Sequence, residues 1–338
     1  MRLWIDLANS PHVPFFKALA ARFVERGHEI ETTVRAFAET VPLAQAAGFD
    51  AQVVGAHGGR QVSAKAGNLM SRAWSLATWA RKRNFDLAIS HNSYSQILAA
   101  RALRIRRVTL MDYEYQPANH LAFRLTSRII VPASFPARRL RRYGASMSKV
   151  RRYHGTKEDV YLADFEPDPA FAKELCELGV RPDNVLVLMR PPAHDALYHR
   201  FQNKLFDEAL ALLLERPDVQ VILLPRNEAQ RAAYSAKASE RLIIPAKPLD
   251  GANLIAASDL VISAGGTINR AAAALGVPVA SIYAGQWAAV DQELVKEGRL
   301  ERIASSEDLR RLSVQRKSSS KPRQAVEVID EVVRLILE

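Results

Sequence analysis

Cysteine occurs once, at Cys176, so no internal disulfide can form, and without a CxxC pair or a Cys/His cluster the chain has no zinc-binding spacing. No metal ligands are therefore expected. No run approaches the ~18 uninterrupted apolar residues of a membrane-spanning helix. The opening MRLWIDLANSPHVPFF carries Asp6 inside its first apolar run. Neither an export signal nor a spanning helix is expected, and a reducing cytoplasm is the expected location. Only 15 Gly and 17 Pro among 338 residues exclude collagen-like or low-complexity chains, and 48% apolar against 25% charged residues is a globular balance. That length exceeds what one hydrophobic core usually organises, so two domains of about 150 residues are expected.

Acidic residues are scarce in the first half. Residues 1–165 hold 12 Asp/Glu against 25 Lys/Arg, whereas residues 166–338 hold 24 against 22. A basic half points to negatively charged partners: phosphorylated substrates, an anionic bilayer or nucleic acid. No helix-turn-helix, RRM or aromatic-interleaved basic strand accompanies the charge, so nucleic acid is not expected. The stretch Ala137–His154, with seven Lys/Arg, is the segment expected to meet an anionic bilayer or a lipid-linked acceptor.

Short β-branched or apolar runs alternate with helical periodicity, the pattern of parallel sheets covered by helices. Strands are expected at Leu3–Leu7, Glu29–Val34, Ala51–Val54, Leu87–Ser90, Arg107–Leu110 and Arg128–Val131. A helix over Pro14–Arg26 carries Phe15, Leu19, Phe23 and Val24 on one stripe and ends at Gly27. Prolines at 167, 169 and 182 around a short helix, Phe171–Leu178, mark a boundary. The pattern then restarts with strands at Val185–Met189, Val219–Leu224, Leu242–Ile244, Leu260–Ser263 and Val279–Tyr283. The polar tract Arg316–Gln324 reads as a linker and Ala325–Leu337 as a final amphipathic helix. The expected domains are 1–165, 166–320 and a returning segment, 321–338.

Ligands of open α/β sheets bind at the carboxyl ends of strands, so the residues after each strand are the candidates. The first strand is followed by His12, whose side chain titrates near neutrality and suits a general base. The fourth is followed by His91, and the fifth by Asp112 and Glu114, which could divide acid and base roles or, for Asp112, cap a helix. In the second half, Leu260–Ser263 runs into Ala264-Gly265-Gly266-Thr267 and an alanine-rich helix. Paired glycines let backbone amides face a ligand, and a helix start adds unpaired donors and a positive dipole end, together a phosphate cradle. Ser263 and Asn269 flank it, while Arg190 and Arg226 end neighbouring strands, where guanidinium groups could clasp a diphosphate. Asp291 and Gln292, after the last expected strand, could bind sugar hydroxyls.

The segments MRLWIDLANSPHVPFFKAL, MDYEYQPANH and AGGTINR together resemble the prokaryotic family called domain of unknown function 354. SAGGTINRAAAALGVPVASI is similar to the donor-phosphate segment of GT-B glycosyltransferases and the non-hydrolysing UDP-N-acetylglucosamine 2-epimerases. The resemblance implies a GT-B-like α/β fold, two Rossmann-like domains whose parallel sheets face a central cleft. It also implies a nucleotide-diphosphate sugar as substrate rather than a bound cofactor. PHVPFF is similar to the acceptor-facing turn of GT-B transferases, which makes His12 the leading base. Those epimerases have acidic residues after the paired glycines, where this chain has Thr267, Asn269 and Arg270. Glycosyl transfer without a metal is thus the first expectation, in keeping with the absence of a DxD dipeptide. Epimerisation through Asp112, Glu114 and His91 is the second, and a non-enzymatic basic binding protein the third.

Overall fold

The computed structural model describes residues 1–37, 39–56, 62–192, 204–320, 322 and 326–338. The chain divides into two units, the first comprising residues 1–163, 288–290 and 325–338, the second residues 164–287 and 291–324. The first unit therefore ends two residues before the expected boundary and takes in two later segments.

Seven strands build the sheet of the first unit: β1 (Arg2–Leu7), β2 (Glu29–Ala36), β3 (Ala51–Ala56), β4 (Leu87–His91), β5 (Arg106–Leu110), β6 (Arg128–Pro132) and β7 (Val150–Tyr153). They lie in the order β3-β2-β1-β4-β5-β6-β7 with parallel pairing throughout. Parallel strands are covered on both faces, which is why β1 and β4 are buried over nearly their whole length. The helix His12–Glu25 buries Phe15, Phe16, Leu19 and Phe23 on one side of the sheet, each contributing about 1.5–3 kcal/mol by removal from water. It starts two residues earlier than its periodicity predicts, so His12 is its first residue. Val24, expected on the buried stripe, stands 61% exposed. The last helix, Val326–Leu337, places Ile329, Val332, Val333 and Ile336 in the same core.

The second unit carries β8 (Val185–Arg190), β9 (Val219–Leu223), β10 (Leu242–Ile243), β11 (Leu260–Ser263), β12 (Val279–Ser281) and β13 (Glu301–Arg302) in the parallel order β10-β9-β8-β11-β12-β13. The expected strand at Val279–Tyr283 stops at Ser281, where the chain turns toward its loop. Two strands have no counterpart in the sequence reading. β7 is hidden in the basic stretch, and β13 is two exposed residues with no apolar pattern. The tract read as a linker is fastened at Lys317, whose Nζ donates to the carbonyls of Ala256 and Ser258. Residues 321 and 323–325 of that tract and of the expected last helix lie outside the described residues.

In each sheet the order of connection reverses once, between β1 and β4 and between β8 and β11. Beyond the carboxyl ends of such a strand pair, the helices leave toward opposite faces and open a crevice for ligands.

Candidate functional site

At the reversal in the first unit, three of the expected residues converge. His12 opens the helix after β1, His91 ends β4, and Asp112 follows β5, the next strand along. The His12 and His91 rings lie 4.9 Å apart between centroids, and His91 Nε2 is 3.6 Å from Asp112 Oδ1. The other oxygen, Asp112 Oδ2, accepts from Lys157 Nζ at 3.1 Å, and Glu158 Oε1 is 3.7 Å from the same ammonium. Asp112, His91, Lys157 and Glu158 are all buried. Asp112 caps no helix, since the next one begins at Asn119. Its carboxylate serves the lysine and the histidine instead. Glu114 is buried and accepts from the Ala289 amide at 2.8 Å.

The electrostatics of this cluster act on His12. Burial is the main influence holding its pKa well below the usual imidazole value, His91 and Lys157 push the same way, and Asp112 opposes them. At neutral pH the ring is consequently uncharged. Its Nδ1 is buried without a hydrogen-bond partner.

Beneath the cluster, Asp6 of β1 is fully buried and accepts from both terminal nitrogens of Arg72, at 2.9 and 2.8 Å. It also accepts from Thr33 Oγ1 at 2.6 Å and from Ser93 Oγ. Ser93 caps the helix Tyr94–Ala102, and Gln96 in that helix donates to the Trp4 carbonyl at 2.9 Å. The network thereby ties the segment from His91 to Ser93 to the centre of the sheet. Between them Asn92 adopts a left-handed conformation, φ 61°, which asparagine tolerates better than most residues.

The second unit repeats the arrangement with different chemistry. Arg190 ends β8 directly across from Ser263 of β11. The helix Gly266–Leu275 starts immediately after, with Gly265 as its cap and no side chain bonded to its first turn. The amides of Gly266 and Thr267 therefore lack the intrahelical partners that later residues have. The Gly265 amide is different: it donates to Ser263 Oγ at 3.0 Å, so it is engaged rather than turned outward as expected. Arg226, braced by Nε donation to the Pro191 carbonyl at 2.6 Å, brings Nη2 to within 2.5 Å of where a Cβ on Gly265 would stand. Only glycine leaves that space for the guanidinium.

Arg270, one turn into the helix, was not singled out as a site residue. Its guanidinium is buried, forms a bidentate pair with Asp291 at 2.7 and 3.1 Å, and lies 3.3 Å from the position of a Cβ on Gly266. Asp291 thus orients an arginine instead of presenting itself to a sugar, and Gln292 Nε2 donates to the Trp287 carbonyl at 3.2 Å. Asn269 is buried, with an Oδ1 that has no hydrogen-bond partner. Lys157 and Glu158 were also missed. Their signal was the run Thr156-Lys157-Glu158-Asp159, whose Thr156–Asp159 capping box leaves the two middle charges to point inward. Among the described residues, no group of three or more His, Cys, Asp or Glu could hold a metal ion.

A family model described as "Protein of unknown function (DUF354)" matches residues 1–338. An uncharacterized protein of Methanocaldococcus jannaschii, MJ0665, is 28% identical over 306 residues, covering 88% of this chain and 86% of its own. Among solved structures, the UDP-GlcNAc 2-epimerase of Neisseria meningitidis bound to UDP-GlcNAc is similar with a TM-score of 0.73 at 13% identity, over 99% of this chain and 100% of that one. The M. jannaschii UDP-GlcNAc 2-epimerase in complex with UDP-GlcNAc and UDP gives 0.72 at 14% identity, over 100% and 99%. The glycosyltransferase of kitacinnamycin gives 0.61 at 13%, over 99% and 94%. These likenesses show the fold: the two-sheet parallel α/β architecture shared by those epimerases and GT-B glycosyltransferases.

Proposed function

This chain belongs to the DUF354 family, and from that premise we propose that it is an enzyme acting on a nucleotide-diphosphate sugar, most simply as a glycosyltransferase. The observation that carries this reading is the glycine-paired helix start in the second unit, with Arg226 set over Gly265 and Arg190 beside Ser263. An uncapped helix N-terminus and two guanidinium groups suit a diphosphate, whose charge grows as it leaves the sugar. In the transfer reaction His12 takes the proton of an acceptor hydroxyl, the oxygen attacks the anomeric carbon, and the bond from that carbon to the diphosphate breaks. The amides of Gly266 and Thr267, with Arg190 and Arg226, receive the departing charge.

Thermal-shift measurements with UDP-, GDP-, ADP- and dTDP-sugars test the binding step. A ligand that binds only the native state at about one hundred times its Kd adds about 2.7 kcal/mol of stability. The sharper test is Gly265→Ala. With φ −144° the backbone is extended and accepts alanine, but the new methyl group displaces the Arg226 guanidinium. The variant is expected to fold as the parent does and to lose most of the nucleotide-induced shift. An undiminished shift would remove Arg226 and this loop from the site.

The cluster of Asp112, His91 and Lys157, with Glu114 two residues beyond Asp112, supports a second reading, epimerisation, because it gathers proton donors and acceptors at one sheet edge. Incubation with UDP-N-acetylglucosamine in deuterated water separates the two. Deuterium appearing at C2 without an acceptor identifies the epimerase, and its absence alongside acceptor-dependent nucleotide release identifies the transferase.

A further inference from the structure

Residues 51–111 carry a large share of the basic surplus of the first half, ten Lys/Arg against a single acidic residue, Asp86. The helices Val62–Ala80 and Tyr94–Ala102 pack on each other and lead into the neighbouring parallel strands β4 and β5. Their final residues therefore arrive at the same edge of the sheet, opposite the edge bearing His12. Arg81, Lys82, Arg101 and Arg104 are exposed there and have no acidic partner among the described residues. On the first of these helices Met70 and Trp74, one turn apart, are 60% and 77% exposed. Val53, on the edge strand β3 packed against that helix, is 46% exposed.

A tryptophan and a methionine standing in water one turn apart, followed by unpaired cations just past the end of that helix, form an amphipathic surface whose apolar groups nothing covers among the described residues. Indole rings favour the boundary between water and hydrocarbon, and cations gather over anionic headgroups. We propose that this face of the first unit docks on an anionic lipid bilayer, with Trp74 and Met70 entering the headgroup layer and Arg81, Lys82, Arg101 and Arg104 meeting lipid phosphates. A second copy of the chain fits poorly, because each would present the same positive charge. A nucleic-acid backbone offers nothing to Met70 or Val53.

The segment expected to make such a contact, Ala137–His154, keeps Arg138, Arg141 and Arg142 exposed, while its later cations are engaged. Lys149 Nζ donates to the Thr126 carbonyl, Arg151 pairs with Glu338 at 3.2 Å, and Arg152 donates to the carbonyls of Ala133 and Phe135. Membrane docking does not depend on the sugar-nucleotide reading, and its test needs no nucleotide.

The full chain is sedimented with phosphatidylcholine vesicles and with vesicles containing one part phosphatidylglycerol to two parts phosphatidylcholine. Binding is expected on the anionic vesicles only, with a blue shift of tryptophan emission. It is expected to disappear as ionic strength rises from about 0.1 M to about 1 M, where screening shortens from about 10 Å to about 3 Å. Trp74→Ser with Met70→Ser should weaken binding at least about tenfold by removing the inserted apolar area. Arg81→Gln and Lys82→Gln should each weaken it about fivefold. All four positions are on the surface, so thermal melts of the variants should match the parent. The proposal fails if the protein pellets equally with neutral vesicles or with none at low salt. It also fails if Trp74 and Met70 prove dispensable, or if gel shifts or light scattering show that they serve RNA binding or self-association instead.

Discussion

Replacing His12 with glutamine is expected to lower turnover of a nucleotide-sugar substrate about 10²–10⁴-fold, the usual contribution of a positioned general base, while leaving the nucleotide-induced thermal shift intact. The separation follows from the architecture: the diphosphate-binding groups proposed above all belong to the second unit, and His12 belongs to the first. Burial, His91 and Lys157 together hold the His12 ring neutral. The acid limb of kcat/KM should consequently fall below the ordinary imidazole range, and in the glutamine variant that limb should vanish. Stability follows the same titration. Below about pH 6.5, the ordinary imidazole value, the unfolded chain takes up a proton at His12 that the folded chain refuses. The native state then loses stability as pH falls from there toward the depressed pKa. Urea melts at several pH values should show this slope reduced in His12→Gln. Unchanged turnover in a variant that still binds nucleotide would dismiss His12 as the base.

The strands and the crossover pattern were readable because parallel strands buried on both faces are written as uninterrupted apolar runs, as in Val185–Met189 and Leu260–Ile262. The positions after those strands could be named for the same reason. Their grouping could not be read, since nothing local tells that β4 lies beside β1 and brings His91 to His12. That fact belongs to the strand order. Charged residues that turn inward were the second blind spot. Lys157, Glu158 and Arg270 look like ordinary helical polar positions, and only tertiary packing within each unit brings Lys157, with Glu158 beside it, to Asp112 and Arg270 to Asp291. The glycine pair was legible as a turn, but not the reason for its first member. The space above Gly265 is occupied by Arg226, thirty-nine positions earlier in the chain, and no local pattern encodes that approach.

Asp6→Ala is expected to destabilise the first unit by about 3–5 kcal/mol, the cost of leaving a buried charge without its partner. Asp6 lies at the centre of the seven-stranded sheet with no exposed surface, and its carboxylate is the only acid that the Arg72 guanidinium meets among the hydrogen bonds given above. Truncation strands that guanidinium in the interior and frees Thr33 and Ser93, so the loss also reaches the segment that holds His91. Domains are usually stable by only about 5–15 kcal/mol, and the variant should unfold at a markedly lower urea midpoint. The double change Asp6→Leu with Arg72→Met removes both charges, keeps the volume filled and should recover most of the loss, because the two ions no longer need each other. Its remaining deficit should reflect the Val54 carbonyl and the two hydroxyls that lose their partners. If the double variant is as unstable as Asp6→Ala, packing of the aspartate rather than the stranded charge sets the cost. If Asp6→Ala loses less than about 1 kcal/mol, water reaches Arg72 and the network does not anchor the sheet centre.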